Sequence, residues 1–258
     1  MPEITTDDAT LYVEVDGEGE PVTVFAHGLT NSRKEMSQLT PFLPGTKVRF
    51  DFRGHGRSSV PETGYGFEDF ARDVDDVAGA YGATRAAGTS LGAGALCNLV
   101  SRRPDRFERL ILLLPAALDI PLEHRERFLE TAAILESLPR DEAIKTIISN
   151  PDRLEDYAEV PWMQELADAM WTEMDPLGVA RSIRGVIGSQ AVGDREVLRA
   201  VEAPTLIVCR EGDPLHPLEV GEALAELLPN SELHVFADDE AILKAIPMLV
   251  ARVSEFLL

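Results

Sequence analysis

The chain has 258 residues, enough for one large domain to bury most of its apolar surface, and its 45% hydrophobic and 27% charged residues are those of a water-soluble globular fold with no low-complexity run. Asp and Glu outnumber Lys and Arg by 45 to 24, and the formal charge of −21 repels phosphate backbones and anionic lipid, which excludes nucleic acid and membrane surfaces as expected partners. No stretch approaches the ~18 consecutive apolar residues of a membrane span, and MPEITTDDAT at the start lacks a basic or apolar leader pattern, so the expectation is a cytoplasmic protein.

In chain order, short β-rich runs fall at 11–17, 22–28, 47–54, 84–90, 109–115, 205–210 and 232–236. Helix-length segments separate most of them. FEDFARDVDDVAGAYG (67–82) sets Phe67, Phe70, Val74, Val77 and Tyr81 at helical spacing, with acids on the other face. Buried strand, helix and buried strand in alternation predict an α/β fold with a mostly parallel sheet covered on both faces. The alternation stops after Pro115 and resumes at Pro204. Residues 116–203 hold helical patterns at 124–138, 141–149, 161–174 and 175–188, and read as a helical cap inserted between the sixth and seventh strands of a core made of 1–115 and 204–258. Trp162, Met163 and Trp171 are the candidate substrate-binding residues of that cap, against the alternative that they pack the cap on itself. Cys97 and Cys209 stand apart from each other and from any Cys/His cluster, so neither a disulfide nor a zinc site is expected.

Residues 88–92 read GTSLG. The serine follows an apolar strand and opens a helical stretch, which is the strand, sharp turn and helix of a nucleophile elbow with Ser90 as nucleophile. Acyl transfer also requires N–H donors for the developing oxyanion. Leu91, next to the nucleophile, supplies one, and the turn His27-Gly28 in FAHGLTN brings Leu29 as the second.

Taken together, HGLTNS, DFRGHGRSS, GTSLG and GDPLHP resemble the α/β-hydrolase fold superfamily over nearly the whole chain. The resemblance implies eight mostly parallel strands with helices on both faces, and a triad in chain order Ser, acid, His. It places the acid at Asp213, after the strand at 205–210, with Asp119 as the fallback. The histidine departs from the pattern. Aligning the proline before the terminal helix with Pro247 puts Glu240 where the superfamily has its histidine, and 235–258 contains no histidine.

Five histidines remain to be placed. The resemblance gives His27 and His55 structural roles; His234 lies within the last strand, and His124 opens the cap. His216, three residues after Asp213, is the best substitute for the base. A second possibility is that Glu240 or Asp239 shares a proton with Asp213, which suits an elimination or isomerisation better than attack by Ser90. The bland reading of the acidic run is a cap on the last helix. The expected function is a serine-dependent hydrolase acting on a small, largely apolar ester, amide or related acyl substrate, with a degenerate triad and low activity. The alternative is a non-hydrolytic relative, either a carboxylate-assisted lyase or isomerase or a small-molecule binding protein. No cofactor or metal is called for, and the sequence does not indicate an oligomeric state.

Overall fold

The computed structural model describes residues 3–37, 40–119, 125–150, 165, 168, 169 and 171–258, the side chains of 239, 240 and 242–246 excepted. Its strands are β1 (Glu3–Thr5), β2 (Thr10–Asp16), β3 (Val22–Ala26), β4 (Thr46–Phe50), β5 (Arg85–Thr89), β6 (Arg109–Leu113), β7 (Thr205–Arg210) and β8 (Ser231–Phe236). They form one sheet in the order β1-β2-β4-β3-β5-β6-β7-β8. β2 pairs antiparallel with β1 and β4, and every other pairing is parallel. The seven runs expected from the sequence are all strands. β1 adds an eighth, a three-residue edge too short to show a periodicity.

Alternation along the strands builds two cores. Val24 of β3, Leu110 and Leu112 of β6 and Ile207 of β7 face one side, against helices α1 (Phe67–Tyr81) and α2 (Leu91–Arg102). Phe25, Ile111, Leu206 and Val208 on the same strands face the other, against Val253, Phe256 and Leu257 of the C-terminal helix. Each such side chain, fully buried, stabilises the fold by roughly 1.5–3 kcal/mol.

Between β6 and β7 the described residues hold helices α3 (Arg125–Ser137), α4 (Arg140–Ile148) and α5 (Pro176–Val186), and no strand. Asp175 opens α5 by accepting the Gly178 N–H at 2.9 Å, ahead of Pro176 at the first helical position. After β7 come α6 (Leu218–Leu227), β8 and α7 (Asp239–Leu257). The proline expected just before the terminal helix lies inside it. Asp238 caps α7 by accepting the Ala241 N–H at 2.7 Å, which starts the helix two turns ahead of Pro247. Proline forfeits one helical hydrogen bond there, and the buried anchors Val253, Phe256 and Leu257 hold the helix on the sheet regardless. No helix among the described residues is long and apolar enough to cross a membrane.

Candidate active site

Parallel pairing of β3 with β5 sets Ala26 opposite Gly88, so the turns that leave these two strands emerge side by side at one edge. Ser90 occupies the second turn with φ 50° and ψ −105°, a strained conformation for a residue with a side chain, of the kind that costs ~1–3 kcal/mol and collects at functional sites. The surroundings enforce it. The Ser90 N–H donates to the Leu113 carbonyl at 3.0 Å, and the Gly92 N–H to the His27 carbonyl at 3.1 Å. A Cβ on Gly92 would lie 2.2 Å from the Ala26 carbonyl oxygen, and one on Gly88 2.5 Å from the Gly92 backbone. Both glycines of GTSLG are therefore fixed by close backbone approach.

The first turn runs from Gly28 to Asn31, closed by the Asn31 N–H on the Gly28 carbonyl at 3.2 Å, with Thr30 at φ 61°. His27 is buried beneath it. Its Nδ1 contacts the Gly28 carbonyl at 2.8 Å, and its Nε2 accepts the Phe52 N–H at 3.0 Å. Burial pushes the imidazole down to about 4, so it is a neutral structural bracket. His55, buried and facing His27, is pushed down to about 3 by burial and then by that neighbour, and its Nδ1 sits 3.0 Å from the Arg53 carbonyl. Among the described residues the N–H groups of Leu29 and Leu91 are taken by no other acceptor. Glu35, which the sequence did not single out, closes the turn from below: its Oε2 accepts the Gly28 N–H at 2.9 Å and its Oε1 accepts from the Asn31 side chain.

Asp213 stands on the loop after β7. Its Oδ1 accepts the N–H groups of Leu215 at 2.9 Å and His216 at 3.1 Å, and its Oδ2 faces His216 Nδ1 at 2.9 Å and the Arg210 guanidinium at 3.3 Å. Burial alone would raise this carboxyl, but the His216 hydrogen bond and charge, the Leu215 N–H and Arg210 outweigh it and bring it down to about 2. The ionised carboxylate accepts only, so the proton between them sits on His216 Nδ1, and in the neutral imidazole Nε2 is the nitrogen with the lone pair. Asp119 is engaged elsewhere, in an ion pair with Arg195.

Ser90 and His216 line the same cleft, with Leu29, Phe67, Leu91, Ala116, Ala117, Phe128, Val186 and Leu215 as its other walls among the described residues. Trp171, expected at this pocket, is instead buried against Leu135, Ile144, Ile147, Met174 and Ile183 in the core of the helical segment itself. Its helical spacing reports a buried face, and the partner of that face is α3 and α4. Trp162, Met163 and His124 lie outside the described residues, as does the side chain of Glu240 in the first turn of α7. His234, on β8, packs its ring against Phe236 with centroids 4.7 Å apart. Phe128 and Val186, which do line the cleft, sit in helices that the sequence placed without showing which residues face Ser90. No group of His, Cys, Asp and Glu among the described residues has the arrangement to hold a metal ion.

A family model described as alpha/beta hydrolase fold matches residues 21–243. The AB hydrolase superfamily protein YisY of Bacillus subtilis (strain 168) is 27% identical over 246 residues, spanning 91% of this chain and 89% of its own. A bifunctional esterase/perhydrolase, DCH, of Acinetobacter calcoaceticus is 28% identical over 258 residues, spanning 90% of each chain. Among solved structures, a hydrolase from Pseudomonas aeruginosa PA01 matches with a TM-score of 0.79 at 26% identity, covering 98% of this chain and 96% of that one.

Proposed function

The chain belongs to the α/β-hydrolase fold family, its relatives make it a hydrolase of the carboxylic-ester type, and on that premise we propose a serine-dependent mechanism whose base has moved onto the loop of the acid. The observation that carries this reading is that His216, hydrogen-bonded to Asp213, lines the same cleft as Ser90. Ser90 is the nucleophile, His216 Nε2 takes its proton, and Asp213 holds the imidazole in the tautomer that leaves Nε2 free. As the tetrahedral intermediate forms, the N–H groups of Leu29 and Leu91 stabilise its oxyanion. His216 then returns the proton to the departing alcohol, and water repeats the cycle on the acyl-enzyme.

Apart from Ser90 and His216 the described walls of the cleft are apolar, which supports a small, largely apolar acyl group as substrate. Helices α3 to α5, with Phe128 and Val186 over the serine, act as the cap of this site. Asp238 of the acidic run serves α7, its carboxylate accepting the Ala241 N–H.

Intact mass after incubation with a fluorophosphonate tests the reading. Wild type should gain one stoichiometric adduct that Ser90→Ala lacks, and His216→Ala should slow its formation by orders of magnitude. Labelling of His216→Ala at the wild-type rate would remove His216 from the mechanism, and absence of any adduct on wild type would remove Ser90.

A further inference from the structure

Glu35 sits next to the reacting groups, yet the mechanism above gives it nothing to do. The residue keeps some exposure, but its carboxyl is engaged by the turn: the Gly28 N–H donates to one oxygen at 2.9 Å and the Asn31 amide to the other. Gly28 and Asn31 belong to the turn that presents the Leu29 N–H. Gly28 is also where that turn packs on the elbow: a Cβ at that position would lie 3.2 Å from Glu35 Oε1, 3.6 Å from Ser90 Cβ and 3.7 Å from the Thr89 carbonyl oxygen.

We propose that Glu35 is a positioning residue of the hydrolytic site, its carboxylate holding Gly28 and Asn31 of the turn after β3 where Gly28 packs against the elbow after β5, and so fixing the separation of the Leu29 and Leu91 N–H groups. The proposal rests on Ser90 as nucleophile for its effect on rate, and on the geometry alone for its effect on the turn. Two features make the turn depend on such a tie. Thr30, a β-branched residue, is held at φ 61°, so the turn has no intrinsic preference for its observed shape. The Asn31 amide directs its NH2 to Glu35 and leaves its Oδ1 buried without a hydrogen-bond partner among the described residues, so the carboxylate decides its orientation.

Two donors, the Gly28 N–H and the Asn31 NH2, meet the two oxygens, an arrangement that suits the ionised carboxylate. Burial favours the neutral acid and outweighs these hydrogen bonds, raising Glu35 to about 7. Of the ionisable groups on the turn and its segment, Arg33 is held by Glu14 and Asp51, Lys34 is held by Glu173, and His27 is neutral. As pH falls through 7, Glu35 takes up a proton, one oxygen becomes a hydroxyl and the converging donors lose an acceptor. The turn loosens and the oxyanion donors drift apart.

The test uses the full chain with two variants and two readouts. Glu35→Gln sets an NH2 against one of the donors, and Asn31→Ala removes one donor and leaves the Gly28 contact. The first readout is the pH titration of the Gly28 and Leu29 backbone amide resonances, which needs no turnover. In wild type these should follow one ionisation near pH 7, which Glu35→Gln should abolish and Asn31→Ala should retain. The second is turnover of p-nitrophenyl acetate. For Glu35→Gln kcat should fall by about 10- to 100-fold with KM nearly unchanged, a loss somewhat below that of deleting an oxyanion donor outright. Asn31→Ala should show a smaller loss in the same direction. Amides that ignore pH 7 in wild type would overturn the proposal, as would a wild-type kcat in both variants. If wild type takes no fluorophosphonate, the nucleophile reading fails, and the amide titration still decides whether Glu35 holds the turn.

Discussion

Replacing Asp213 by Asn changes one atom and isolates the role of the acid. In wild type, Oδ1 accepts two backbone N–H groups, at 2.9 and 3.1 Å, while Oδ2 faces His216 Nδ1 at 2.9 Å. The asparagine amide must keep its oxygen at the Oδ1 position, because the opposite orientation would set its NH2 against both backbone donors. Its NH2 then faces His216 Nδ1, which has to accept, and the imidazole proton moves to Nε2. That is the nitrogen that must take the serine proton. A triad locked in the wrong tautomer loses ~10⁴ in kcat, or about 5.5 kcal/mol of transition-state stabilisation at 1.36 kcal/mol per tenfold. The fold should hardly notice, since both backbone hydrogen bonds survive, and the loss in unfolding free energy should be about 1 kcal/mol. Steady-state hydrolysis of p-nitrophenyl acetate and urea unfolding measure the two quantities on one preparation. Because acid and base act as a unit, Asp213→Asn combined with His216→Ala should be little worse than His216→Ala alone. Turnover of Asp213→Asn within about tenfold of wild type would refute the tautomer argument.

Gly92→Ala places a methyl 2.2 Å from the Ala26 carbonyl oxygen, a backbone atom, and should lower stability by about 1–3 kcal/mol in urea unfolding while slowing adduct formation at Ser90. Phe128→Ala removes an aromatic wall of the cleft, and kcat/KM should rise for longer acyl chains relative to acetate. His55 titrates near its ordinary 6.5 when unfolded and near 3 when folded, so below pH 6.5 the unfolded chain holds the extra proton. The stability difference between wild type and His55→Gln should therefore be greatest above pH 6.5 and decline as pH falls toward 3. A difference that stays constant from pH 7.5 to 4.5 would mean that His55 is not held neutral.

Strands β3 to β7 could be read from their β-branched and apolar runs because they lie largely buried on both faces, while β2 and β8, partly exposed, still show as short β-rich runs. The elbow was legible for a related reason. Gly88, Ser90 and Gly92 carry a steric constraint that operates within five residues, so it is written locally. The pairing of His216 with Asp213 was within reach for the same cause, both residues standing on one short loop. Trp171 was not, since helical spacing tells that a face is buried and leaves its partner open. Pro247 misled because proline before a helix is the commoner arrangement, whereas the Asp238 cap had already started this one. Glu35 could not be found at all from its neighbours in sequence. Its role depends on Gly28 lying against the elbow, which happens only when β5 lies beside β3.

The three-residue spacing of Asp213 and His216 has a consequence for how the site is inherited and engineered. In a triad spread over three loops, the acid and the base meet only after the final strand and helix have docked. Here the closing of one loop brings them together, so their alignment is indifferent to the register of β8 and the seating of α7. Under the proposed mechanism the segment after this loop, β8 and α7 included, is thereby released from catalytic duty. Its residues are free to vary, to be redesigned for stability or to carry a fused partner, answering only to the apolar surface of the sheet they cover.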